Sequence, residues 1–445
     1  METRFTAASP AAAVFESQAA TGDAVWTPLQ VGAQRYEARL AQLFAFQLLV
    51  RLLYPFFNSP LDHLFSDPLR HWETGLEFLH PNVMGSGDPF LYQLWLFLLR
   101  NAAGTSTATV LLGCGLLCAA MPYGWYRAMR EVMPRQWALG TAICLAIAPN
   151  FISVYGYFMN ETLLLTLTGF AFWMTLRAAR KRTLFAFAAA SAVWLAAGYT
   201  RIVVLPMAAV CLTWLWLLQT QKLRAALIAA LLMVTVTVPA GLHGRAALHY
   251  FAPLGNLYLN EIYYVSGNKE IQIDYGEQGR FVFGSPSYYN ATFYPFSGWL
   301  GSRHGSVAVV VDTRKGRDDW RRELERVKAQ GHPVLRDRWE NLVYFLFAQA
   351  WPDNDRNTVV GSLSLWSRWL WLPMIVAVSV AAWRRQFIGR QWILPVCALL
   401  SVALLLLQSE GPMEGRFRKP LEPLFVVALA LSLHTQLSKK RLYVL

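Results

Sequence analysis

The chain has 445 residues, of which 55% are hydrophobic and only 15% charged, and its mean hydropathy is +0.31. A soluble domain is typically about 25% charged and 45–50% apolar, so this composition excludes an ordinary soluble enzyme and points to a polytopic helical membrane protein. The net charge of +13 is what basic loops against anionic lipid give, and it does not signal nucleic acid.

Residues 1–37 form an Ala-rich, polar tail with no early apolar core, so no cleavable signal peptide is expected. Ten spans are expected, at 38–57, 105–125, 136–154, 161–177, 183–199, 202–219, 225–242, 366–383, 391–408 and 420–437. The 18 Trp and 18 Tyr suit helix ends at lipid headgroups. Cys114, Cys118, Cys144, Cys211 and Cys397 all fall in apolar runs, so no structural disulfide is expected.

Orientation follows from Lys and Arg in alternate loops. Arg127, Arg130 and Arg135 share one side with "RAARKR" at 177–182, Lys222 and Arg224. Arg384, Arg385, Arg390 and "KKR" at 439–441 join them, as do Arg35 and Arg39 of the tail. Placed in the cytoplasm, they put segment 58–104, the turns near 155–161 and 199–201, a loop at 243–365 and segment 409–419 outside. The expected organisation is a core over 38–242, an outer cap over 243–365, C-terminal spans over 366–437 and a short tail at 438–445. Within the cap, "RFVF" and "VAVVV" read as strands and "GRDDWRRELERVKAQ" as a charged helix, a small mixed α/β region on an otherwise all-α protein.

Ionisable groups gather at the outer span ends. Segment 58–104 carries "HLFSDPLRHWETG" and then "DPFLYQLWLFLLR", an amphipathic stretch suited to the interface. Asp67, His71, Glu73 and Asp88 belong to it. Asn160 and Glu161 open a span in "NETLL", Arg201 lies in "GYTR", and Arg416, Arg418 and Lys419 lie in "GRFRKPLEPL". Each alone can cap or solvate a helix end, snorkel, or lie on a solvated face. Together they make an acidic set from early in the chain and a basic set from its middle and end, and charges at membrane depth tend to mark sites.

This layout resembles the GT-C superfamily of integral-membrane glycosyltransferases. "SDPLRHWETG" followed by "HPNVMGSGDPFLYQLWL" is similar to the first outer loop of protein O-mannosyltransferases and of the lipid A aminoarabinose transferase. "NETLL" is similar to an S/P-E-x-L element, and "GRFRKPLEPL" to a basic R-Y-R-x-P element. Pro68 directly follows Asp67, where that loop commonly has a second acid close by, so the partner carboxylate stays open. The resemblance implies an inverting transfer of sugar from a polyprenyl-phosphate donor to a lipid, glycan or protein acceptor. The implied setting is the bacterial inner membrane, with the site on the periplasmic face.

The chemistry then sorts the residues. A hydroxyl acceptor needs a base, assigned to Asp67, with His71 and Glu73 positioning. If 67–73 is helical, His71 shares the face of Asp67. Arg201, Arg416, Arg418 and Lys419 would stabilise the leaving phosphate, and Asp88, Tyr92, Asn160 and Glu161 would bind substrate. A divalent cation (Mg, Mn or Ca) held by Asp67 and Glu161 stays open. Cap aromatics in "NLYLNEIYYV" and "SPSYYNATFYPF" suit sugar stacking or ordinary packing. A glycan polymerase or ligase, and a transporter or flippase, are the alternatives. A transporter predicts repeats, broken helices and midplane charges, and only the "GYTR" break leans that way.

Overall fold

The computed structural model describes residues 28–104, 106–283, 305–347, 363, 368–407 and 415–442. Helix α1 (Pro28–Phe57) leads to two shorter helices, α2 (Ser66–Leu76) and α3 (Phe90–Ala103), then to α4 (Thr107–Arg130) and α5 (Arg135–Ile147). After a bend come α6 (Asn160–Lys181), α7 (Leu184–Thr200), α8 (Leu205–Leu217) and α9 (Lys222–Leu248). The cap holds α10 (Leu257–Val265), β1 (Glu270–Asp274), β2 (Arg280–Phe283), β3 (Ser306–Val310), α11 (Arg317–Gln330) and α12 (Val334–Phe347). Three further helices close the chain: α13 (Trp371–Trp383), α14 (Ile393–Leu407) and α15 (Glu422–Leu442).

The protein is thus a helical membrane protein with a small sheet. Among the described residues five helices are long and apolar enough to cross a bilayer: Gln34–Phe57, Thr107–Arg130, Asn160–Lys181, Lys222–Leu248 and Gly389–Leu407. Arg135–Ile147 with Pro149–Gly156 makes a sixth if the pair, bent by 73°, is one span. Helices also form at the other expected places, but α7 has only 17 residues and α8 and α13 only 13 each. Thirteen helical residues rise about 20 Å, short of a hydrocarbon core of about 30 Å.

The first helices pack closely because small residues let their backbones meet. A Cβ at Gly115 of α4 would run into the Leu52 carbonyl oxygen of α1, and one at Gly169 of α6 would lie 3.0 Å from the Trp125 nitrogen of α4. Trp125 stacks on Phe172 at 5.6 Å, and Phe172 meets Trp194 edge-on at 5.3 Å. The indole of Trp194 donates to the Thr175 hydroxyl at 2.8 Å, so this large buried ring also has a polar partner.

The bend after α5 has a definable cause. Pro149 has no N–H to continue the helix, and Ala148 is extended. Arg51, fully buried in α1, takes up two carbonyls at the break, donating to Ala146 at 3.0 Å and Phe151 at 2.7 Å, and a third inside α4, Cys118 at 2.8 Å, which Pro122 leaves without a helical donor. In an apolar surrounding each orphaned carbonyl is costly. Arg51→Met is expected to lower stability by about 2–3 kcal/mol, read as a lower unfolding midpoint in detergent.

In the cap the strand order is β2-β1-β3, with β1 antiparallel to β2 and parallel to β3. Ile271, Ile273, Val307 and Val309 face one way, onto Trp320, Leu324 and Val327 of α11. Val83 from the first outer segment and Leu248 from the end of α9 complete this core. The cap is therefore fastened to the helices and shares its core with the segment that carries the acidic residues.

Candidate functional site

Helix α2 gives the acidic stretch its geometry. Pro68 sits in its first turn, where a missing N–H breaks no helical bond. Helical spacing places Asp67, Arg70, His71 and Thr74 on one side. They face Asp88, the residue that ends a 3-10 turn and precedes α3. Arg70 bridges the two acids, donating from Nη1 to Asp67 Oδ1 at 2.6 Å and from Nη2 to Asp88 Oδ1 at 2.9 Å. His71 Nδ1 lies 3.2 Å from Asp88 Oδ2. Gln93 holds the turn from below, donating to the carbonyls of Gly85 at 3.0 Å and Asp88 at 2.8 Å.

Burial alone would raise the Asp88 carboxyl, but Arg70 and His71 outweigh it and hold it down at about 2. Burial likewise opposes the charge of Arg70, and the two aspartates outweigh it, so Arg70 stays protonated. Asp88 is a poor base in this setting. Asp67 has 18% of its side chain exposed against 3% for Asp88 and is the more accessible carboxylate. Glu73 is exposed on another side of α2 and is not brought to Asp88.

Tyr92, one turn into α3, links this cluster to the next. Its ring meets His71 edge-on at 5.2 Å. Burial above all raises its phenol, and the charges of Glu161 and Asp88 both add to the effect.

The second cluster forms where α7 stops. Arg201 is extended there, and a 3-10 turn at Ile202–Val204 precedes α8. The break turns Arg201 toward the start of α6, where its Nη1 donates to Asn160 Oδ1 at 3.1 Å and to Glu161. Glu161 is buried, and the guanidinium lies 4.2 Å over the Phe417 ring. Arg201 and Asn160 line a cavity of about 740 Å³, together with Pro89, Tyr264, Leu407 and Phe417. Asp67 and His71 do not line it, but Gly87 and Pro89, the chain neighbours of Asp88, do. The acidic loop and Arg201 therefore lie at the same end of the bundle.

The remaining basic residues are placed differently. Arg418 is buried, with Nε 2.6 Å from Glu422 Oε1, and Glu422 also accepts from Asn150. Lys419 is buried too and donates to Ser153 Oγ at 3.2 Å. Neither lines the cavity. They tie the start of α15 to the bend after α5. The side chain of Arg416 and the whole of "SPSYYNATFYPF" lie outside the described residues.

Asp67 and Glu161, the expected ligands of a divalent cation, stand in separate clusters. Asp67 already binds Arg70, and Glu161 already binds Arg201. Among the described residues no group of three or more His, Cys, Asp or Glu is placed to hold a metal.

Two contributors have no role in the sequence reading, Arg70 and Phe417, whereas Tyr264 lies in "NLYLNEIYYV", the stretch expected to suit sugar stacking or ordinary packing. Arg70 stands within the acidic stretch, and its i,i+3 spacing from Asp67 was the available signal. Phe417 lies between the two arginines of "GRFRK" and was passed over in favour of their charge. No family model matches the chain, and no curated protein matches it.

Proposed function

We propose that the protein is a GT-C-like membrane glycosyltransferase that moves a sugar from a polyprenyl-phosphate donor to a lipid, glycan or protein acceptor. The observation that supports this reading is the make-up of the 740 Å³ cavity. Its lining joins one guanidinium, Arg201, with the apolar Ile202, Leu404 and Leu407 and with Asn260, Glu261, Tyr263 and Tyr264 of α10, Glu261 being paired with Lys328. Leu407 is 72% exposed, so the apolar part of the lining reaches the lipid-facing surface. A sugar on a prenyl phosphate calls for these three chemistries: apolar contact, a cation and hydrogen-bonding groups.

On this reading Arg201 grips the phosphate, and the prenyl chain lies along Leu404 and Leu407. The acceptor hydroxyl attacks the anomeric carbon from the side opposite the phosphate, and its proton passes to Asp67, which stands outside the cavity lining, across the Arg70–Asp88 pair from the Gly87–Pro89 rim, so that the acceptor enters from that side. The carbon–oxygen bond to phosphate breaks as the new bond forms, which inverts the centre. Arg70 orients Asp67 through their 2.6 Å pair. Negative charge grows on the departing phosphate, where Arg201 binds it more tightly than in the ground state. Ten spans in the orientation set by the basic loops, with the cavity facing the periplasm of a bacterial inner membrane, complete the proposal.

The broken helices favour one second reading, a lipid transporter. The 73° bend after α5 and the interruption between α7 and α8 are features of that class. One experiment separates the two. Purified protein in vesicles is given a radiolabelled polyprenyl-phosphate sugar and a cell-envelope extract as acceptor. Label leaving the donor with matched release of polyprenyl phosphate supports transfer. Label crossing the bilayer on an intact donor supports transport and defeats the enzyme reading.

A further inference from the structure

A second cavity, of about 640 Å³, lies at the other end of α6. Its walls come from three remote segments: Arg180 and Arg182 at the end of α6, Trp214 and Leu218 around the end of α8, and Ile388–Arg390 between α13 and α14. Asn160 lines the first cavity and Arg180 the second. Twenty helical residues between them rise about 30 Å, the thickness of a bilayer's hydrocarbon core. With the first cavity at one headgroup layer, the second falls at the other. That is the face on which basic residues of the short loops collect.

Charge in this cavity is only partly offset by protein. Glu131 is the acid at hand, and it is buried. It pairs with Arg180 at 3.1 Å. Arg390 donates to a neutral group, the Glu131 carbonyl, at 2.6 Å. Arg182 is exposed and, among the described residues, makes no ion pair. Beside these guanidiniums lie the Trp214 ring and two apolar side chains, Leu218 and Ile388, the latter 60% exposed. Guanidinium forks suit phosphate oxygens, and the apolar side suits the chain of an amphiphile. The volume lies within the roughly 300–1,000 Å³ of small-molecule sites.

We infer that this cavity binds the headgroup of an anionic phospholipid, with its phosphate on Arg182 and Arg390 and its glycerol and first methylenes against Trp214 and Ile388. The site stands independently of the transfer reaction at the opposite face.

Native mass spectrometry of the delipidated full-length chain tests it, with phosphatidylglycerol and phosphatidylcholine as probes. Wild-type protein is expected to retain phosphatidylglycerol in preference to phosphatidylcholine. Arg182→Gln is expected to weaken that retention about fivefold, the effect of one basic residue at an anionic lipid surface. Arg182→Lys should keep most of it. Arg130→Gln, exposed on the same face but outside the cavity, should keep all of it. Equal retention of the two lipids, or unchanged phosphatidylglycerol binding in a folded Arg182→Gln, overturns the inference. Displacement of the lipid by millimolar inorganic phosphate alone also overturns it, because the site would then serve a free anion. Should Arg182→Gln fail to fold, the lipid preference of wild-type protein and its resistance to inorganic phosphate decide the matter.

Discussion

Arg201→Ala is expected to lower kcat/KM for the lipid-phosphate donor by about 10²–10³, the usual cost of one lost donor at a developing anion. Arg201→Lys should recover part of this, since an ammonium keeps the charge but loses the fork. The substitution has a second consequence. Glu161 is buried and bound to Arg201, so removing the arginine strands a carboxylate. The double variant Arg201→Ala with Glu161→Gln removes that burden. If donor kinetics return to wild-type values in the double variant, Arg201 serves only to neutralise Glu161. If the loss persists, the phosphate is its partner. Steady-state kinetics over a range of donor concentrations distinguish the two.

Local signals read well from this sequence, and long-range ones did not. Asp67 and His71 share a face because four residues make about one helical turn. The charged run at 317–330 is a helix, and "RFVF" and "VAVVV" are strands, because their periodicity and β-branched content decide locally. β1, "EIQID", was not anticipated. It alternates as a strand should, but it is short and polar, and pairing with both neighbours holds it in place. The link between Arg70 and Asp88 spans 18 residues, past the end of α2 and the 3-10 turn at Met84–Gly87, so no periodicity reveals it. Arg418 is the instructive residue. Its sequence setting suggested phosphate, yet Glu422 stands four residues on at the start of a helix, and the two pair in the interior. Arg51 carried a stronger signal than any of these. An arginine inside an apolar run must find partners at depth, and two carbonyls at the bend after α5 and one inside α4 supply them.

The two aspartates of the first outer segment should part company when each is changed to asparagine. Asp88→Asn removes the carboxylate that faces Arg70 and His71. Breaking one side of a buried ion pair costs about 3–5 kcal/mol, so the variant should unfold at a markedly lower temperature and lose activity as a consequence. Asp67→Asn gives up a partly exposed pair with Arg70 and should cost about 1 kcal/mol or less. Its expected effect is on turnover, about 10²–10⁴ for a lost base, in a protein that still folds. Acid offers an independent check. The carboxyl of Asp88 falls from the usual 3.8 to about 2 on folding, and each pKa unit is worth about 1.4 kcal/mol. Its contribution of about 2 kcal/mol is then complete above pH 3.8 and fades as pH falls through 2. Between pH 5 and 8, Asp88 should add no slope to the unfolding midpoint, in wild-type or Asp67→Asn protein. A folded Asp67→Asn with full turnover would remove Asp67 as the base. An Asp88→Asn variant as stable as wild type would show that Arg70 needs only one of its two acids.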